Sequence, residues 1–376
     1  MIGRCWFGLL SILVLFACGE APVTPPTYHE EGNPPLLSDW GQLHIRKGGL
    51  ALGDTVSPYD LNTALFTDYA HKLRTIWIPE GKSAAYHDKD VFDFPVGSVI
   101  TKTFYYPLPA SGIDGEVVRQ DKGGDLFVGG HLPLDQVKLI ETRILVRRDA
   151  GWEAIPYRWN DDQTDAILHR IGDIVPLTLV SADGTREAFN YVMPDANQCA
   201  SCHVPDSNTR ALSPIGPKAR HLNRDFAYAD GVQNQLVKLT EVGYLSDAPE
   251  AVVAPRNAYW FDGEASVEAR ARSYLDINCS HCHSPTGPAD TSGLFLEPET
   301  VGPNLGICKL PIAAGAGTGN RAWDIRPGHP GDSILVYRMD NAKPDEMMPE
   351  IGRSTIHREG VELVAEWISA LEGDCS

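Results

Sequence analysis

Two pentapeptides carry recognisable chemistry: Cys199-Ala200-Ser201-Cys202-His203 and Cys279-Ser280-His281-Cys282-His283. Each reads Cys-x-x-Cys-His, the signature of covalent haem c attachment. The spacing has a mechanical reason. Two thiols three positions apart reach the two vinyl groups on one side of a porphyrin, and the adjacent histidine swings beneath the iron as its proximal ligand. A zinc site would also use paired cysteines and nearby histidines, but the long gap between the pairs is awkward for a compact zinc ribbon. Disulfides or a redox-active Cys-x-x-Cys would leave the histidine after each pair without a role. The pattern predicts two haem c groups, one on Cys199, Cys202 and His203, the other on Cys279, Cys282 and His283.

The sixth ligand decides what each iron does. A strong one makes an electron-transfer centre, methionine raises the potential, and a missing one leaves a place for peroxide, oxygen or a substrate. Met347-Met348-Pro349 lies downstream of the second motif and just before a C-terminal helix. Met348 is the expected ligand of the second haem, with Met347 the near alternative and core packing the bland reading of both. No methionine lies between Cys202 and Cys279. His221 is the first choice for the first haem, ahead of Met193, His71 and His131, and a five-coordinate iron is the remaining option. Trp367 reads either as packing near the second haem edge or as an ordinary core residue. The turn-rich stretch Gly302 to Gly319 is expected to wrap the same haem.

These motifs must be exported to be matured. Arg4 is followed by the apolar run Cys5 to Ala17, too short for a permanent span but suited to a signal-peptide core over residues 1–17. Leu15-Phe16-Ala17-Cys18 resembles a lipobox, in which Cys18 is lipidated and becomes the new N-terminus. Phe16 is bulkier than the usual occupant, and a plain signal cut nearby is the alternative. Gly19, not aspartate, follows, which in diderm lipoproteins permits sorting to the outer membrane. Residues 18–40 hold Pro22, Pro25, Pro26, Pro34 and Pro35 and read as a tether. Cys308 and Cys375 remain, an even pair in an oxidising compartment and an expected disulfide, with two separate buried thiols as the alternative. The formal net charge of −18 argues against a nucleic-acid partner.

The 376 residues suggest two or three domains. Between residues 41 and 190, Val99 to Tyr106, Val137 to Arg147, Trp152 to Trp159 and Ile174 to Val180 are rich in β-branched and aromatic residues and are separated by Gly, Pro and Asp clusters. They predict an antiparallel β domain, in outline a sandwich. No glycine-rich loop leads into a P-loop lysine. Further on, Ala265 to Asn278 predicts a helix running into the second motif. Arg358 to Leu371 predicts another, with Val361, Val364, Ile368 and Leu371 on one stripe. The expected fold class is α+β multidomain: an N-terminal mainly antiparallel β domain (41–190), then two small, mainly α c-type cytochrome modules (191–262 and 263–376).

The likeness extends beyond the haem motifs. Pro58-Tyr59-Asp60-Leu61-Asn62, Leu65-Phe66-Thr67-Asp68-Tyr69-Ala70, Phe94-Pro95-Val96-Gly97, Asp162-Gln163-Thr164-Asp165-Ala166 and Asn197-Gln198-Cys199 carry it in the first half. Pro214 to Arg220, Asn234-Gln235-Leu236, Tyr274 to Cys279, Gly287 to Leu294 and Met348-Pro349 carry it in the second. Across nearly the whole mature chain the sequence resembles a family of bacterial dihaem c-type cytochromes, uncharacterised in its reaction. Members are often encoded beside an exported parallel β-helix repeat protein, which the resemblance implies as a partner. The family pattern does not fix His221.

The leading expectation is therefore a periplasmic or outer-membrane, lipid-anchored dihaem cytochrome that passes electrons between redox partner proteins. A dihaem peroxidase-like enzyme with an open first haem is the alternative, and a haem-bearing sensory binding module the third reading.

Overall fold

The computed structural model describes residues 23–119, 126–312 and 314–375. The signal segment, Cys18 and the start of the tether lie outside the described residues. The first half is built from strands β1 (Leu43–Arg46), β2 (Gly49–Leu52), β3 (Ser57–Tyr59), β4 (His71–Trp77), β5 (Ala84–Ala85), β6 (Val99–Pro107), β7 (Glu116–Val118), β8 (His131–Pro133), β9 (Val137–Arg148), β10 (Gly151–Trp159), β11 (Ala166–Leu168), β12 (Asp173–Val180) and β13 (Arg186–Met193). The main sheet has the order β11-β10-β9-β6-β4-β3, and every neighbour is antiparallel. Smaller sheets run β1-β2-β8 and β13-β12-β7.

Both faces of β6 are covered, which its mixture of Val, Ile, Thr, Phe and Tyr permits. One face carries a row of hydroxyls. The Thr75 and Thr101 Oγ1 atoms lie 2.6 Å apart, those of Thr103 and Thr142 lie 2.7 Å apart, and Trp159 Nε1 donates to Thr142 Oγ1 at 3.0 Å. Buried hydroxyls that satisfy one another avoid the desolvation cost of an unmet donor. The other face brings Ile100, Leu145 and Ala154 into one cross-strand row, and Arg74, Lys102 and Arg143 into the next. Part of the sheet packs against β12 and β13 through Phe104, Tyr106, Leu177, Leu179 and Tyr191.

The second half holds six short helices: α1 (Gln198–His203), α2 (Ala219–Leu222), α3 (Gln235–Glu241), α4 (Val267–Leu275), α5 (Ile334–Met339) and α6 (Arg358–Ser369). A hairpin of β14 (Asp225–Tyr228) and β15 (Gly231–Asn234) separates α2 from α3, and β16 (Leu245–Ser246) pairs in parallel with β5. This corrects the expected fold class. Among the described residues the protein is mostly β-sheet, with helices of twelve residues at most, and the two motifs do not sit in small, mainly α cytochrome modules. Residues between the motifs join the core of the main sheet, with Ala219, Leu222, Leu236, Leu239 and Leu245 packing in the same cluster as Leu73 and Ile155. Helix α6 buries Leu363, Val364, Trp367 and Ile368 against Ala271, Tyr274 and Leu275 of α4. Among the described residues no helix is long and apolar enough to cross a membrane.

Cys308 and Cys375 are disulfide-bonded across a separation of 67 residues. Closing a loop of that length removes about 4 kcal/mol of unfolded-chain entropy. The double variant Cys308→Ser/Cys375→Ser is expected to lose about 4 kcal/mol in a denaturant titration. An unchanged midpoint would mean that the bond does not restrain the unfolded chain.

Candidate functional site

Both Cys-x-x-Cys-His motifs open onto one cavity of about 630 Å³, within the range of sites that take sizeable ligands. The main sheet forms one wall through Ile100, Lys102, Arg143 and Leu145, and the loop carrying Met348 to Arg353 forms another. The motifs touch. Cys282 Sγ lies 3.5 Å from the Ser201 carbonyl, and the Ser207 amide donates to the Thr286 carbonyl at 2.8 Å. Gly287 is needed at this seam, since a Cβ there would stand 2.3 Å from the Cys282 carbonyl oxygen.

Each motif histidine is oriented by a backbone carbonyl. His203 Nδ1 lies 2.8 Å from the Ser213 oxygen and His283 Nδ1 3.3 Å from the Leu294 oxygen. A carbonyl can only accept, so Nδ1 carries the proton and Nε2 keeps the lone pair that binds a metal. Burial, reinforced by Lys102, pushes His203 down to about 3 against the pull of the Ser213 carbonyl. Burial likewise pushes His283 down to about 4. Both rings are therefore neutral at pH 7, the ligating form. Burial raises the Cys199 and Cys202 thiols and pushes Cys279 and Cys282 up to about 12, so all four are protonated thiols. Among the described residues no three His, Cys, Asp or Glu side chains converge to hold a bare metal ion. A haem iron would be held mainly by its porphyrin, with His203 or His283 as a protein ligand, and would need no such group. The donor set fits two haem c groups.

Met348 lines the cavity. Its amide donates to the Arg338 carbonyl at 2.9 Å, and Arg353 Nη2 donates to the Met348 carbonyl at 2.9 Å, which fixes the Met348 backbone. Met347 is buried but does not line the cavity. His221 departs from its expected place. It does not line the cavity, and its Nε2 lies 3.6 Å from Asp276 in a fully buried cluster. Met193 ends β13 with its side chain in the core, His71 stacks on Tyr105 with ring centroids 5.3 Å apart, and neither reaches the cavity, nor does His131. Trp367 belongs to the α4–α6 core. Of the Gly302–Gly319 stretch, Ile312 and Ala314 reach the cavity.

Several lining residues escaped sequence reasoning. Met339, at the end of α5, lines the cavity as Met348 does. His281, inside the second motif, lines it too, and its Nδ1 is buried without a partner. His357 stacks on Phe66 at 4.4 Å, with its Nδ1 2.9 Å from the Tyr274 hydroxyl. Lys102 is pulled down to about 7 by burial first, then by Arg143 and Arg74. A lysine between Ile100 and Phe104, on the otherwise apolar face of its strand, was the available signal for it.

An ionic clamp joins the scaffolds of the two motifs. Arg220 of α2, downstream of the first, donates to both carboxylate oxygens of Asp276 at 2.6 and 2.9 Å. Asp276 opens the π-helical turn Asp276–Ser280 that leads into the second, and also accepts from Asn257 at 2.8 Å. The segment before β4 adds neutral ties. Asn62 Nδ2 donates to the Arg220 and Asn257 carbonyls, each at 3.0 Å, and Asn278 Oδ1 accepts from the Phe66 amide at 2.8 Å. Asp68 Oδ1 accepts from the Ser354 and Thr355 amides, each at 2.7 Å, and so holds the loop behind Met348. No family model, curated protein or solved structure matches the chain.

Proposed function

We propose that this chain is an exported dihaem c-type cytochrome, lipid-anchored through Cys18 in the periplasm and sorted to the outer membrane, which moves electrons through two covalently attached haems. The observation that carries the reading is the meeting of two Cys-x-x-Cys-His motifs at one cavity. Bound there, each haem supplies one-electron iron chemistry. The chain's own residues do the rest. The cysteines anchor, and His203 and His283 present neutral imidazoles. Met348 stands ready as a soft sixth ligand at the second motif. Contact between the motifs favours direct passage of electrons from one centre to the other. The acidic composition suits a basic redox partner. An exported parallel β-helix protein is proposed as a partner on the resemblance alone.

The test is the intact mass of the matured protein, followed by its optical and EPR spectra. Two added porphyrins, both low-spin and unaltered by cyanide or peroxide, are expected. A mass without porphyrin ends the proposal. A high-spin first haem that responds to cyanide converts the reading to the dihaem peroxidase-like enzyme.

A further inference from the structure

Across β4, β6 and β9 three cations stand directly opposite one another: Arg74 pairs with Lys102, and Lys102 with Arg143. All three line the cavity onto which the first motif opens. Like charges in register are unfavourable unless an anion answers them. The outer two are answered. Arg74 Nη1 donates to Asp60 at 2.8 Å, and Arg143 Nε donates to Glu141 at 2.9 Å. Asp60 is shared with Arg224 at 2.9 Å, and Glu141 with the Tyr191 hydroxyl at 2.7 Å. Among the described residues the middle cation has no acceptor. Lys102 Nζ has only the face of Phe104, 5.2 Å away, and Arg74 Nη2 is buried without a partner.

The neighbouring row on the same wall, Ile100, Leu145 and Ala154, is apolar. A flat sheet face that is apolar along one row and cationic along the next matches a flat apolar group with carboxylates on one edge. We infer that the Arg74–Lys102–Arg143 row is a carboxylate-binding site for the group held by Cys199 and Cys202, with Lys102 as its central contact. Two sources offer that chemistry: the porphyrin's own carboxylates, and a free small carboxylate that enters the cavity. The inference rests on the dihaem reading, and intact mass tells the two failures apart.

The experiment compares the matured wild-type chain with Lys102→Met and Lys102→Arg, each first shown by mass to carry two porphyrins. If the porphyrin is the source, Lys102→Met shifts one porphyrin's carboxylate bending band in the resonance Raman spectrum and lowers one reduction potential. Lys102→Arg then restores both, and added formate changes neither. If a free carboxylate is the source, formate perturbs the wild-type haem spectrum saturably, and its apparent affinity falls at least tenfold in Lys102→Met. With both porphyrins present, a Lys102→Met protein that matches wild type in Raman bands, potentials and formate response overturns the inference.

Discussion

A chain in which Cys199, Cys202, Cys279 and Cys282 are all changed to alanine is expected to lose its cooperative thermal unfolding transition. The substitutions themselves are mild, because a buried cysteine behaves as a small hydrophobe and its loss costs about 1 kcal/mol. The large effect comes from the cavity. If its 630 Å³ stayed dry, the cost at ~24 cal/mol per Å³ would be on the order of 15 kcal/mol, comparable to the whole stability of a domain. The cation row and His281 admit water to part of it, so this figure is an upper bound. Even a third of it, about 5 kcal/mol, would match the whole stability of a marginal domain. The paired variant Cys279→Ala/Cys282→Ala is expected to keep one porphyrin and an intermediate midpoint. Wild-type chain made in a host that cannot attach haem separates the porphyrin from the cysteines, and it should behave as the quadruple variant does. Circular dichroism melts read both. If the quadruple variant melts at the wild-type temperature, nothing that fills the cavity stabilises this fold.

What the sequence reveals about such a site depends on how local each signal is. The motifs are contiguous and were legible outright. The stretches read as strands at Val99, Val137, Trp152 and Ile174 are β6, β9, β10 and β12, because composition within a strand is a local property. The stripe of Val364 and Ile368 likewise marks α6. The helical haem modules were an expectation borrowed from the usual setting of the motif. The residues gave little support to it, since proline and glycine recur from Pro205 to Pro217 and again from Pro285 to Gly331. Contacts between distant residues left no local trace. Lys102 stands nearly a hundred positions before Cys199, and only the folded sheet brings it to the cavity that the first motif opens onto. His221 illustrates the converse. Its distance from Cys202 suited a ligand, but the Arg220–Asp276 pair turns its ring away from the cavity and into the clamp. Asn62 and Asp68 were visible only through the family resemblance, and their work is to hold loops that belong to the far end of the chain.

That clamp gives the largest effect expected of a single substitution. Asp276 is fully buried, and Asp276→Asn leaves the Arg220 guanidinium without its salt-bridge partner, with only the more distant carboxylates of Asp90 and Glu297 to answer it. Removing one member of a buried ion pair costs about 3–5 kcal/mol, and the cost should appear in full in a denaturant titration at pH 7. His221 does not rescue the site. Burial pushes it down to about 3 against the pull of Asp276, so it is neutral at pH 7, and among the described residues Arg220 is the cation hydrogen-bonded to Asp276, with Lys218 and Arg272 acting from further off. The pH dependence distinguishes an ionic clamp from a packing defect. Burial opposes ionisation of Asp276, but the hydrogen bonds and charge of Arg220 prevail and hold its carboxyl well below the usual range. A carboxyl lowered on folding contributes stability that is complete above its unfolded value of about 3.9 and is lost as the pH falls through its folded value. The gap between wild type and Asp276→Asn should therefore be constant from about pH 8 to about pH 5 and narrow only below about pH 4. A second variant separates charge from shape: Arg220→Met/Asp276→Leu, which removes both charges, should recover part of the loss. A single Asn substitution that costs less than about 1 kcal/mol, or a gap that stays constant down to about pH 2, would show that the two motifs are not held together by this ion pair.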